Sequence, residues 1–170
     1  MLIHADALLI LTVALIADAV IGDPEPPWRR LPHPVVWMGT LIGWLDRRLN
    51  RAERPGTRRR LLGIGALVVV VAAAGLAGMA IEAGLRQLPG HVFTIGLVAS
   101  VLFAQNSLFR HVAQVVAAFD AGGLAAARRA VSLIVGRDPD SLDEAGVCRA
   151  AIETAAENFS DGVVAPAFWF

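Results

Sequence analysis

Glu153 and Glu157 stand four residues apart, Asn158, Ser160 and Asp161 follow, and the chain then enters the apolar run GVVAPAFWF. On a helix starting near Leu142, both glutamates share one face with Arg149 one turn earlier. The plain reading is an exposed Arg149–Glu153 ion pair with Glu157 in water. The apolar neighbour argues for more. Carboxylates at a membrane entry cost desolvation energy unless they are paired or metal-bound. Hard oxygen donors at this density suit Mg²⁺, which takes one or two carboxylates together with substrate phosphates. The same helix predicts an apolar stripe of Cys148, Ala151, Ile152, Ala155 and Phe159.

Two further clusters carry candidate chemistry. In VGRDPDS, Val135–Ser141, Arg137 is placed in a turn where its guanidinium can clamp a phosphate or carboxylate through two bonds. Asp138 can cap the next helix or join a metal, although Asp-Pro and Asp-Ser pairs make turns unaided. In GDPEPPWRRLPHP, Gly22–Pro34, five prolines in thirteen residues fix a stiff, extended loop. Asp23 and His33 on that scaffold are a pre-organised ligand or base, or a rigid loop whose His33 merely faces water. Asp18, one turn before Gly22, is expected inside a bundle, and ionisable residues within spans are functional suspects. Asp6 and Glu82 fall nearer the opposite interface, and His4, His91 and His111 are read as incidental. Cys148, the single cysteine, allows no intrachain disulfide or cysteine-based metal cluster and is expected to be a small buried residue.

The elements that must hold these residues read as membrane helices. The 170 residues are 56% hydrophobic and their mean hydropathy is +0.59, too apolar for an average soluble domain. Spans are predicted at about 2–21, 61–85 and 92–109, with a fourth starting at about 162. Two acids and no basic leader set the first span apart from a signal peptide. Residues 35–50 read as an amphipathic, interfacial helix with Trp37 and Trp44 at headgroup depth. The third span turns polar at Gln105, Asn106 and Ser107 and continues as an amphipathic helix that Gly122-Gly123 ends. A second amphipathic helix covers 124–135. Ser141 and Glu144 form a capping box for a helix reaching about Asn158.

Arginine counting sets the orientation. Residues 22–60 hold nine arginines, seven of them between Arg47 and Arg60, whereas the 85–91 loop holds only Arg86. Segments 22–60 and 110–161 are therefore expected on the cytoplasmic side, where all three clusters can contribute to one site. The Arg47–Arg60 run itself reads as a topology determinant and an anionic-lipid contact. Zero formal net charge carries no general preference for nucleic acid. The expected fold is an all-α, polytopic integral membrane helical bundle with cytoplasmic amphipathic helices, in one membrane domain over 1–170. Because Phe168-Trp169-Phe170 stop amid an apolar rise, the chain is expected to be the front portion of a longer protein.

The three clusters, taken in order, resemble those of the adenosylcobinamide-phosphate synthases (cobinamide synthases) of cobalamin biosynthesis. The matching stretches are DAVIGDPEPPWRRLPHPVVWMG at Asp18–Gly39, AARRAVSLIVGRD at Ala126–Asp138, and AAIETAAENFSDGVVAPAFWF at Ala150–Phe170, the last being the most specific. Pro139 departs from the pattern, which leads one to expect a threonine after Arg-Asp. The resemblance implies a multi-pass enzyme of the cell inner membrane, its active face cytoplasmic. It would join adenosylcobyric acid to aminopropanol or its phosphate as an amide, using ATP and Mg²⁺, with the lipid bilayer and these corrinoid and amino-alcohol substrates as partners. Under it, Glu157, Asn158 and Asp161 bind Mg²⁺-nucleotide and Glu153 supports them. Arg137, beside Asp138, holds a phosphate or the substrate carboxylate, and Asp23 and His33 orient the amine or act as base. The alternative is a membrane transport, scaffold or sensory component on the same helices. It predicts functional charges at mid-bilayer, whereas this chain gathers them at the cytoplasmic edge.

Overall fold

A computed structural model describes residues 5–22, 33–135 and 138–170. All regular structure among them is helical: α1 (Ala5–Ile21), α2 (Pro34–Leu49), α3 (Gly56–Leu85), α4 (His91–Ala99), α5 (Gln105–Val131), α6 (Glu144–Phe159) and α7 (Ala165–Trp169). A 3₁₀ turn at Ser100–Leu102 follows α4, a second at Pro139–Ser141 precedes α6, and a π turn at Ser160–Val164 joins α6 to α7. The chain divides into two compact units, Met1–Asp23 with Val92–Phe170, and Pro24–His91.

The second of these units is a pair of helices, α2 and α3. Pro34 starts α2 at a position where its missing N–H costs nothing, and His33 caps it, Nδ1 accepting from the Val35 N–H at 3.2 Å. Among the described residues, α3 is the one single helix long and apolar enough to cross a membrane. Its 30 residues rise about 45 Å at 1.5 Å each. Arg58, Arg59 and Arg60 crowd its first turns, and Glu82 pairs with Arg86 at 2.7 Å near its far end. The uncharged stretch between, residues 61–81, is about 31 Å long, the thickness of a hydrocarbon core. Glu82 therefore lies at the edge of the apolar stretch with a partner.

The other expected spans look different. The first is represented by α1, a 17-residue helix. The third is not one helix. After the 3₁₀ turn the chain extends at Phe103 (φ −104°, ψ 152°), restarts as α5 at Gln105, and bends by 41° across the break, so α4 and α5 together qualify only as a broken span. Beyond 162 the apolar run is a π turn and the five-residue α7.

The first unit has two apolar centres. Val115, Ala127 and Val131 of α5 pack with Val147, Ala150 and Ala151 of α6, and Phe119, Leu124 and Leu142 surround them. Both arms of α5 contribute because the helix kinks at Gly122 and Gly123, where the sequence predicts one helix to end and a second to begin; Gly123 takes φ +60°. The second centre joins Ala14 of α1, Ala99 and Phe103 around the break, and Val163 of the π turn. Gly96 lets α1 and α4 meet: a Cβ there would lie 2.6 Å from Val13 Cγ1 and 3.0 Å from the Ile10 carbonyl oxygen. Gly96→Val should lower the melting temperature of the full-length protein in detergent, since overpacking costs roughly 1–3 kcal/mol. Gly75→Val is the matched control, because its added Cβ meets nothing within 4 Å. Equal melting of the two variants would remove this contact from the fold's account.

Two expectations about α6 are corrected. Its cap is Asp143, whose Oδ1 accepts from the Gly146 N–H at 2.7 Å, while the Ser141 hydroxyl donates back to the Asp138 carbonyl at 3.1 Å. A turn hydrogen bond occupies Ser141, and the cap falls two residues later without a capping box. Cys148 is exposed and Ile152 is 70% exposed; the buried face is Val147, Ala150 and Ala151. Small alanines let α6 approach Ala127 and Val131 of α5 closely, so packing fit, rather than side-chain bulk, selected the face.

Candidate functional site

Glu153, Glu157 and Asn158 share a cleft of about 190 Å³ with Ala150 and Thr154 of α6, and with Ile134 and Val135, which follow α5. Positions 150, 153, 154, 157 and 158 are one helical stripe, separated by steps of three and one. The stripe puts Glu153, Glu157 and Asn158 on one side of α6. The cleft admits a phosphate or a hydrated cation and is well below the 300–1,000 Å³ common for whole small-molecule ligands. Val135 immediately precedes Gly136-Arg137, so the cleft is continuous in sequence with the VGRD cluster. Arg137 and Asp23 lie outside the described residues.

The other candidates are placed separately. Asp138 is exposed, and its Oδ1 accepts from the Asp140 N–H at 3.0 Å, the turn chemistry its sequence allows. Asp161 is exposed in the π turn and does not line the cleft. His33 belongs to the other unit, at the start of α2.

The π turn has a local cause. Pro166 has no N–H, so in a regular α-helix the carbonyl of Gly162 would lose its partner. Here the Ala165 N–H closes the wider ring to Ser160 O, and Gly162 O accepts from the Ala104 N–H at 3.1 Å. Gly162 must be small for this contact, since a Cβ would come within 3.1 Å of Ala104 Cβ. Single π turns inside α-helices recur at functional sites, and this one occupies the SDGVV of the most specific motif.

The helix start that receives Gly162 also receives α1. Asp18 is buried, 2% exposed, and its Oδ2 accepts from the Gln105 N–H at 2.9 Å. The Gln105 side chain donates to Leu15 O, and Asn106 Nδ2 donates to Ala19 O at 2.7 Å, which would otherwise be an orphan carbonyl at the end of α1. Gly22 closes α1 with φ +67°, its N–H on Asp18 O at 2.8 Å, so close to Asn106 that a Cβ would meet Oδ1 at 2.6 Å. Thus Gly22, one residue before Asp23, and Gly162, one residue after Asp161, are both tied to residues 104–106. Sequence reasoning noticed that this span turns polar at Gln105-Asn106 without seeing it as the anchor. The signal was available: two amides in an apolar run need internal partners, and Pro166 leaves the carbonyl four residues earlier in need of one.

The donor set suits Mg²⁺ in a specific way. No group of three or more His, Cys, Asp or Glu side chains is placed to hold a metal among the described residues. The cleft offers two carboxylates and an amide oxygen, fewer than a protein cage requires and enough for an ion whose other ligands are water and substrate phosphates.

The geometry sits in a chain whose relatives can be identified. A family model described as CobD/Cbib protein matches residues 11–170. The cobalamin biosynthesis protein CobD of Sinorhizobium sp is 47% identical over 164 residues, covering 96% of this chain and 51% of the relative. That of Rhizobium meliloti (strain 1021) is 48% identical over 168 residues, 98% of this chain and 51% of the relative. A Rhodobacter capsulatus protein of the same description is 41% identical over 159 residues, 94% and 50% respectively. The chain spans about half the length of these curated relatives. No solved structure matches. With residues 11–170 matched, both the cleft-lining glutamates and the π turn fall inside the shared region, and the chain belongs to the CobD/Cbib family.

Proposed function

We propose that this chain contributes the nucleotide-metal part of an ATP-dependent acid–amine ligase of cobalamin biosynthesis, a multi-pass protein of the inner membrane acting at its cytoplasmic face. The reaction joins the free carboxylate of adenosylcobyric acid to aminopropanol or its phosphate, giving adenosylcobinamide or its phosphate. The observation that carries this reading is the small cleft in which Glu153, Glu157 and Asn158 converge beside the residues leading into Gly136-Arg137. A carboxylate does not condense with an amine unaided. Attack of its oxygen on the γ-phosphorus of ATP makes an acyl phosphate and releases ADP; the amine nitrogen then attacks the acyl carbon, phosphate leaves, and the amine proton passes to a base. Phosphoryl transfer is met by positioning and fixed cationic charge. Glu157 and Asn158 would hold Mg²⁺ from the cleft, with Glu153 in support, and Asp161 would join them from the π turn outside it; when bound, the ion neutralises phosphate charge. Arg137, next to Asp138, would hold a phosphate or the substrate carboxylate. Asp23 and His33 would orient the amine or accept its proton. The arginine distribution and the length of α3 support the membrane placement.

The test is complementation by the full-length protein of a strain lacking cobinamide synthesis. Growth on cobyric acid is expected with the protein, and on cobinamide with or without it. A membrane-inserted protein that fails to restore growth on cobyric acid would overturn the ligase in favour of a transport, scaffold or sensory role.

A further inference from the structure

The proposed ligase reaction makes no use of a second, larger cavity. Between α2 and α3 runs a groove of about 420 Å³, with Leu45 and Leu49 on one wall, Leu67 and Val70 on the other, and Asn50 and Arg59 at its polar end. The end is built by side chains. Asn50 Oδ1 accepts from Arg59 Nε at 2.8 Å and Nη2 at 2.6 Å, and Asn50 Nδ2 donates to Asp46 Oδ1 at 2.9 Å. Arg59 is therefore oriented by a neutral amide, which fixes its direction, and Asp46, which lines the same end of the groove, reaches it only through that amide. Residues 46–60 hold six more arginines against two acids, Asp46 and Glu53. Trp37 and Trp44 of α2 are exposed, and Arg48 lies over the Trp44 ring at 5.6 Å.

We propose that this groove holds one acyl chain of an anionic phospholipid, with the lipid phosphate at Arg59. The order of chemistry along the groove matches that of a lipid. The uncharged stretch of α3 begins at Leu61, so Arg59 stands at headgroup depth while Leu67 and Val70, about 12–17 Å further along the helix, stand at acyl depth. Interfacial tryptophans and a dense arginine run are what an anionic leaflet attracts. The inference rests on α3 crossing the bilayer, and is independent of the ligase chemistry.

Gly63 provides a charge-neutral plug. It lines the groove, and a Cβ added there meets nothing within 4 Å, so the side chain of Gly63→Leu can leave the backbone unhindered and occupy the space. The full-length protein, equilibrated in mixed micelles of equal phosphatidylglycerol and phosphatidylcholine, is examined for retained lipid by native mass spectrometry. Wild type should retain phosphatidylglycerol over phosphatidylcholine by about five-fold, the effect of one interfacial cation. Arg59→Gln should erase that preference. Gly63→Leu should strip the retained lipid of either type while elution and helical content stay unchanged. Undiminished retention in Gly63→Leu would overturn the proposal, and so would a wild type with no headgroup preference. A lipid-free groove in wild type, with Gly63→Leu altering oligomeric state or melting, would assign it to a protein partner instead. Release of wild type from membranes by carbonate without detergent would overturn the span beneath the proposal, an outcome separate from loss of ligase activity.

Discussion

Glu157→Gln in the full-length protein is expected to lower kcat/KM for amide formation about 100-fold or more, roughly 2.7 kcal/mol of lost transition-state stabilisation. The substitution keeps the shape of the side chain and removes its charge. Glu157 is in the last turn of α6 and lines the cleft, where among the described residues its carboxylate companion is Glu153. With so few carboxylates, each one weighs heavily on cation affinity. The Mg²⁺ concentration giving half-maximal rate should therefore rise, and saturating Mg²⁺ should recover part of the loss. Glu153→Gln should give a smaller change of the same kind. Asp161→Asn separates two accounts of the π turn: a metal ligand loses Mg²⁺ affinity, whereas an exposed turn residue does not. Near-normal turnover and an unchanged Mg²⁺ profile in both Glu157→Gln and Asp161→Asn would remove the nucleotide-metal assignment.

Asp18→Ala is expected to destabilise the protein by about 2 kcal/mol. It leaves the part-buried Gln105 N–H without an acceptor, a loss of about 1–3 kcal/mol, and it removes a carboxylate from the positive end of α5. Asp18→Asn keeps an acceptor oxygen and should recover about half of that loss. Thermal melting of the full-length protein in detergent measures the difference. Activity should fall with stability, because residues 104–106 hold Gly162 O and therefore the turn that follows Glu157. If Asp18→Ala melts within about 0.5 kcal/mol of wild type, the carboxylate is not the cap that starts α5. Restored stability without restored turnover in Asp18→Asn would point instead to a chemical role for the charge.

Much of this molecule was legible without coordinates. The all-helical class follows from long apolar runs and from the positions of Gly and Pro. The helix α3 is plain in the sequence, since 21 consecutive uncharged residues bounded by arginines and an acid are long and apolar enough to cross a membrane. The kink at Gly122-Gly123 and the single stripe carrying Glu153 and Glu157 are local too, because backbone freedom and helical period act over a few residues. The family is equally a property of sequence, carried by motifs of fixed order. What the sequence did not reveal depends on partners distant in the chain. Nothing between Leu102 and Gln105 breaks a helix by itself. The break exists because Asp18, 87 residues away, and Gly162 supply acceptors that a continuous helix would not need. The face of α6 was likewise decided by α5: Val147 and two alanines fit against Ala127 and Val131, so the bulkier Ile152 and the thiol of Cys148 were left outside. Local pattern determines which residues are helical and which share a face. Only tertiary contact decides which carbonyls and carboxylates find donors, and that choice set the turn beside the candidate site.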